Sequence, residues 1–195
     1  MKKIVPDNAV LIPEQAERVF KGQIFEVYQW PQPMFDGSTA TFEMLRRPDT
    51  VAVLAVTGDK IIVLDDEQPG VGKRKSLITG RIDKPDLSPL SAAKREVLEE
   101  TGYEFNNWRL ISVVQPHVKI EWFVHFFLAW DGKKTAQPHL DPGEKIEVHE
   151  LSFEEVKKLA LNKAGYMGEV KDIFEGKESV EDLINLPEFK GRPVA

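Results

Sequence analysis

Residues Gly80–Tyr103 read GRIDKPDLSPLSAAKREVLEETGY. Ser88 is a good helix N-cap and Pro89 suits the first helical position, where its missing N–H costs nothing. Leu90, Ala93 and Val97 recur at spacings of three and four, giving one apolar stripe. Ala92 and Ala93 favour helix intrinsically, and Gly102 is placed to close the element in a left-handed conformation. The pattern predicts a helix over Pro89–Thr101. Beside its apolar stripe, Glu96, Glu99 and Glu100 fall at i, i+3 and i+4 and share a face. Like charges so placed destabilise a helix by about 0.2–0.5 kcal/mol per pair. A solvated acidic face would bear that cost without function, whereas a hard divalent cation taking oxygen ligands would offset it.

Around this helix the chain reads mostly as strand. Val19–Trp30 has aromatic and β-branched strand content, Phe35–Ser38 is a turn, and Thr39–Arg47 returns. Val51–Thr57 (VAVLAVT) is a continuous apolar run, as expected of a strand buried on both faces. Lys60–Leu64 follows across the Gly58-Asp59 turn, and residues 66–76 read as a mobile basic loop. Strands are predicted at Trp108–Gln115, Trp122–Trp130 and Lys145–Leu151, with Asp141–Glu144 a turn. Ser152 and Glu155 form a capping box opening a helix to about Leu161, and a last helix is predicted within Gly168–Leu186. Strand runs bracketing one central helix and ending in another argue for an α+β fold with a mixed sheet. The division expected is an N-terminal β-hairpin or small sheet over 1–47 and a second domain over 48–195 that includes the C-terminal helices.

Composition removes several classes of function. Of 195 residues, 42% are hydrophobic and 30% charged, the profile of an ordinary folded domain. Lys and Arg number 26 against 32 Asp and Glu, a net charge of −6, so no polyanion-binding surface is indicated and nucleic acid is not an expected partner. The absence of cysteine excludes disulfides, thiolate zinc sites and cysteine nucleophiles. Pro6, Asp7 and Asn8 interrupt any apolar leader, and no apolar run is long enough for a membrane span, so a cytoplasmic location is expected. Gly70-Val71-Gly72-Lys73 fails as a P-loop, because Glu67 stands where glycine is needed and Arg74 where Ser or Thr should follow. Lys73, Arg74 and Lys75 remain candidate phosphate donors. The four histidines show no metal-ligand spacing, and no Gly-x-Ser-x-Gly occurs. Among the aromatic residues of the N-terminal hairpin, Trp30 is the candidate for stacking on a base.

Taken together, Gly80, Arg95, Glu96, Val97, Glu99, Glu100, Gly102 and Tyr103 match by type the box of the Nudix hydrolases, G-x5-E-x7-R-E-U-x-E-E-x-G-U, and the chain resembles that family. The interval from Gly80 to Arg95 is one residue longer than the family's. Asp86 lies six after Gly80 and Leu87 eight before Arg95, so no glutamate occupies the box's first acidic position, and Asp86 is the candidate stand-in. The resemblance implies a Nudix α/β/α sandwich and Mg²⁺ as cofactor, with Mn²⁺ the alternative. By it, Glu96 and Glu100 are metal ligands, Glu99 assists a second ion and the reaction, the Thr79 carbonyl completes the shell, and Arg95 orients the glutamates.

The order of elements from Phe20 to Leu161 is similar to the ADP-ribose pyrophosphatase branch, including Thr79-Gly80-Arg81-Ile82-Asp83 and the Asp-Pro-Gly-Glu-Lys-Ile-Glu-Val of the late loop. In that branch the position of Glu144 supplies a catalytic base, and Arg47 falls in a matching Arg-Arg-Pro. The branch's arginine after the second core strand is absent, since Glu67-Gln68-Pro69-Gly70 stands there. The implied reaction is hydrolysis of a nucleoside diphosphate linked to another moiety, with ADP-ribose the leading substrate. The alternatives are a nucleotide-sugar or dinucleotide pyrophosphatase, or a catalytically weak nucleotide-sensing module. The branch also implies a homodimer.

Overall fold

The apolar runs and capping signals become, in chain order, strands β1 (Lys3–Val5), β2 (Glu17–Lys21), β3 (Glu26–Pro33), β4 (Thr39–Arg46), β5 (Thr50–Thr57), β6 (Lys60–Gln68), β7 (Gly72–Ser76) and β8 (Ile78–Arg81). Helix α1 (Pro89–Thr101) follows, then β9 (Tyr103–Val114), β10 (Ile120–Glu121), β11 (Val124–Lys134) and β12 (Lys145–Ser152). The chain ends in α2 (Phe153–Leu161), a 3-10 turn at Gly165–Val170, the short helices α3 (Lys171–Phe174) and α4 (Val180–Ile184), and β13 (Arg192–Val194). This is a computed structural model; it describes residues 3–83, 85–162 and 165–194.

Two compact units divide these elements. The first comprises 1–50, 113–125 and 190–195, and the second 51–112 and 126–189. The N-terminal unit expected over 1–47 therefore also takes in two later segments. Within it, β10, β4, β3 and β2 form a four-stranded sheet, with β10 parallel to β4, and β1 pairs antiparallel with β13. The single strand predicted over 19–30 is in fact β2 and β3, antiparallel to each other around residues 22–25.

The second unit holds a seven-stranded sheet, ordered β12-β6-β5-β11-β9, with β7 on β6 and β8 on β5. Every residue of β5 from Val51 to Val56 is buried, as its unbroken apolar run requires. Because side chains alternate along a strand, Val51, Val53 and Ala55 gather on one face. They pack there with Ile62, Leu64, Ile78, Phe127 and Ala129 against Ala92, Ala93 and Val97 of α1. At about 25 cal/mol per Å² of apolar surface removed from water, this stripe rather than helix propensity holds α1 in place. Helix α2 packs on β6 and β12, burying Phe153, Val156 and Ala160.

Helix α1 has the ends its sequence predicts. The Ser88 side chain accepts from the Ser91 amide, and the Ser91 hydroxyl accepts in turn from the Ser88 backbone amide. Gly102, at φ 72°, closes the other end, and its amide donates to the Leu98 carbonyl. A Cβ at Gly102 would lie 2.1 Å from the Ala136 backbone oxygen, so both conformation and space demand glycine. Elsewhere one expectation fails and one is refined. Residues 66–76 are a hairpin of β6 and β7, in register from Leu64↔Ser76 to Gln68↔Gly72, not a mobile loop. The helical segment expected within 168–186 is two short helices, α3 and α4, with Gly176 at φ 71° between them.

Candidate active site

The end of β8, one face of α1 and the turn before β12 surround a cleft of about 220 Å³. Its lining is Thr79, Gly80, Arg81, Asp83, Arg95, Glu96, Glu99, Glu100, His139, Asp141 and Glu144, all within the second unit. Four of the metal or catalytic candidates named from sequence, Glu96, Glu99, Glu100 and Glu144, are therefore brought together, with Thr79 and Arg95 beside them.

Arg95 organises this wall. Its Nε and Nη2 donate to the two carboxylate oxygens of Asp86 at 3.2 and 2.9 Å. Nη1 donates to Glu96 Oε1 at 2.8 Å and to Glu99 Oε2 at 2.9 Å, and Nη2 also reaches the Arg81 carbonyl at 3.1 Å. Asp86 is clasped into its own loop: its Oδ2 accepts from the Asp83 amide at 2.9 Å, and its amide donates to the Asp83 carbonyl at 2.9 Å. The Arg95 guanidinium holds the Asp86 carboxyl below the usual carboxylate range. The extra residue in the box thus leaves a carboxylate opposite Arg95.

The glutamates themselves are under charge stress. Burial first, and then the neighbouring Glu99 and Glu144 charges, push Glu96 up to about 7 in spite of Arg95. Burial pushes Glu100 well up as well, reinforced by Glu96, Glu144 and Asp66 and opposed by a hydrogen bond from the Thr79 backbone. Glu144 is raised mainly by burial, with Asp141, Asp66 and Glu99 adding to it. Its turn is closed by its own amide on the Asp141 carbonyl at 3.0 Å. Six carboxylates line the cleft against two guanidiniums.

A divalent cation fits this donor set. Glu100 Oε2 is buried with no hydrogen-bond partner among the described residues, and so is Oδ1 of the neighbouring Asp66. Unsatisfied buried carboxylate oxygens are expensive unless a cation answers them. Gly80 leaves room for the arrangement, since a Cβ there would fall 1.9 Å from Glu96 Cδ. A second acidic group, Asp65, Glu147 and His149, has donor atoms within 4.8 Å of one another. Its charge is already answered: Lys75 and Lys73 lie 2.6 and 3.0 Å from Asp65, and Lys73 3.4 Å from Glu147.

Other sequence candidates lie elsewhere. Lys73 is tied to Asp65 and Glu147, while Arg74 Nε and Nη2 donate to Asp66 Oδ2 at 3.1 and 2.9 Å. They are paired residues of a hairpin, not the free donors expected of a loop. Trp30 and Arg47 belong to the first unit. Trp30 is 7% exposed, bonds Gln32 through Nε1 and packs on Phe42, while the Arg47 guanidinium stacks 4.6 Å from the Trp122 ring centroid. Sequence reasoning assigned no site role to Arg81, Asp83, His139 and Asp141, which line the cleft, or to Asp66, whose charge reaches it. Arg81 and Asp83 had appeared only within a stretch that resembles the branch, and Asp141 only as part of a turn and the late-loop motif.

The NUDIX domain family matches residues 46–170. An ADP-ribose pyrophosphatase of Bacillus subtilis (strain 168) is 30% identical over 155 residues, covering 77% of this chain and 83% of its own. A methanol dehydrogenase activator of Bacillus methanolicus is 30% identical over 147 residues, covering 72% and 78%. A solved structure described as an ADP compounds hydrolase superposes with a TM-score of 0.65 at 17% identity, over 87% of this chain and 97% of that one. That likeness shows the fold, a Nudix α/β/α sandwich, and the box on α1 with its match across 46–170 shows the kinship: the chain belongs to the Nudix hydrolase family and is similar to its ADP-ribose pyrophosphatase branch.

Proposed function

We propose that the protein is a Mg²⁺-dependent pyrophosphatase that hydrolyses ADP-ribose to AMP and ribose 5-phosphate. One observation carries this reading: Glu96, Glu99, Glu100 and Glu144 line one cleft, with Glu100 Oε2 buried and without a hydrogen-bond partner among the described residues. Glu96 and Glu100, with Glu99 and the Thr79 carbonyl, would hold Mg²⁺ or Mn²⁺. When bound, such an ion would screen the substrate diphosphate from the carboxylates, neutralise charge on the phosphoryl oxygens and lower the pKa of an attacking water.

The chain's own groups do the rest. Arg95 fixes Glu96 and Glu99 through Nη1 while Asp86 fixes Arg95. Glu144, in the same cleft, is the proposed base, and burial raises its carboxyl and so makes it a stronger proton acceptor than an exposed glutamate. The first supporting relative by name is the Bacillus subtilis ADP-ribose pyrophosphatase. A second reading, a sensor that binds nucleotide and hydrolyses it weakly, is favoured by Glu67-Gln68-Pro69-Gly70 standing where the branch has its arginine.

Glu100→Gln removes a charge from the centre of the cluster with little change of shape. Turnover of ADP-ribose in Mg²⁺, followed by AMP release, is expected to fall by about three orders of magnitude with the thermal transition retained. Turnover within threefold of the parent would overturn the metal assignment, and tight nucleotide binding with no AMP from the parent itself would favour the sensor.

The protein is further proposed to be a cytoplasmic homodimer. In the first unit Val19, Phe20, Ile24 and Phe25 are exposed on and beside the edge strand β2, and apolar side chains along an unpaired edge suit burial against another copy. A monomer by light scattering would rule the dimer out. Among the described residues no helix is long and apolar enough to cross a membrane.

A further inference from the structure

Two guanidiniums line the cleft, and they differ in what they are committed to. Arg95 is occupied by Asp86, Glu96, Glu99 and the Arg81 carbonyl. Arg81 has a single side-chain partner among the described residues, Asp83, two positions along. Nε donates to Oδ1 at 2.7 Å and Nη2 to Oδ2 at 3.1 Å. Both side chains are partly open to water, 44% and 42% exposed. Exposed ion pairs of this kind contribute little and exchange readily. The main chain of Arg81, by contrast, is pinned, because its carbonyl accepts from Arg95 Nη2 at 3.1 Å and it ends β8 directly after Gly80.

A fixed backbone with a loosely held fork, on the rim of a carboxylate cleft, matches what a dianionic substrate needs. The two parallel bonds to Asp83 have the bidentate geometry by which guanidinium also grips phosphate. The Asp83 carboxylate stands in for that anion. Lys73 and Arg74, the cations the sequence offered for this task, are tied to Asp65, Glu147 and Asp66.

We propose that Arg81 is a substrate-binding residue that leaves Asp83 to grip the non-bridging oxygens of the substrate diphosphate. This rests on the diphosphate reading of the cleft. The metal-binding glutamates and the clamp are then separate devices: one answers the carboxylates, the other adds selectivity for a doubly charged linkage.

Calorimetry with the α,β-methylene analogue of ADP-ribose in Mg²⁺ tests the clamp without requiring turnover. Arg81→Gln is expected to weaken binding about tenfold, with Arg81→Lys recovering part of the loss as a point charge without the fork. Mn²⁺ affinity measured without nucleotide is expected to be unchanged in both variants. Binding by Arg81→Gln within twofold of the parent would overturn the clamp, and so would a parallel loss of Mn²⁺ affinity, which would make Arg81 part of the metal site's framework. Failure of the parent to bind the analogue at all would instead overturn the diphosphate reading, and the clamp with it.

Discussion

Asp65, on β6, sits among Lys73, Lys75 and His149; Glu100, on α1, sits among Glu96, Glu144 and Asp66. Burial raises both carboxyls. At Asp65 the hydrogen bonds and charges of Lys75 and Lys73 outweigh it and bring the group down to about 2. At Glu100 no described cation intervenes and the shift is upward. Two acidic clusters of one domain thus differ in who supplies the positive charge. At Asp65, where β6 pairs with β7 and β12, the chain supplies its own, and the cluster is structural. In the cleft the chain supplies only part, and the remainder is left to come from outside. Counting carboxylates does not separate such cases; counting the cations already spent on them does.

The largest expected break in this contrast, after loss of a ligand, is Gly80→Ala. Its Cβ would overlap the flexible end of Glu96 rather than backbone, so the fold is expected to survive while hydrolysis and Mn²⁺ affinity both fall by about a hundredfold, read by turnover and metal titration. Retained affinity would show that Glu96 can move without consequence. Asp86→Asn comes next. It takes from Arg95 a charged bidentate partner, and a loss of about tenfold in turnover is expected, since groups that orient a ligand cost less than the ligand itself. An unchanged rate would mean Glu96 and Glu99 hold Arg95 unaided.

Smaller, but of opposite sign in the two clusters, are the effects of pH on stability. Glu96 rises from an ordinary 4.5 to about 7 on folding. Between those values the folded state holds a proton that the unfolded state has released, so this contribution is full below the lower value and lost as pH rises through the upper. The Tm of metal-free protein is expected to fall between pH 5 and 7 and to recover on adding Mg²⁺; a Tm indifferent to Mg²⁺ would contradict the cluster's need for a cation. Asp65 runs the other way, falling from 3.8 to about 2. Its contribution is present above the first value and lost as pH falls through the second, so Asp65→Asn should flatten the acid limb of the Tm profile while leaving ADP-ribose hydrolysis unchanged.

What was legible in the sequence follows from how local each signal is. Helix α1 is written in its own residues: Ser88, Pro89, the Leu90-Ala93-Val97 stripe and Gly102 fix its ends and its buried face without reference to the rest of the chain. The continuous run Val51–Val56 specifies a doubly buried strand for the same reason. Lys73 and Arg74 were misread because their partners lie across a strand pair, Asp65 and Asp66 opposite Lys75 and Arg74, and the register of a hairpin is not visible from one strand. Arg81, His139 and Asp141 come from a strand end and irregular chain, where no period marks a direction. Glu144 was reached only through resemblance, since a turn says nothing about which cleft it overhangs. The helix expected within 168–186 is present as two short pieces, α3 and α4, with Gly176 at positive φ between them.

The clasp between Asp83 and Asp86 has a consequence for how such chains are found. Because two hydrogen bonds close the segment on itself before α1 begins, its length is uncoupled from the geometry downstream. The segment carrying the added residue is closed at Asp83 and Asp86, and an aspartate, shorter than glutamate, meets Arg95 there. What the architecture demands at that point is an address in space, not a position in a string. A pattern search with rigid gaps would pass such a chain over, while one that let the interval float and asked only for an acid facing the arginine would retrieve it.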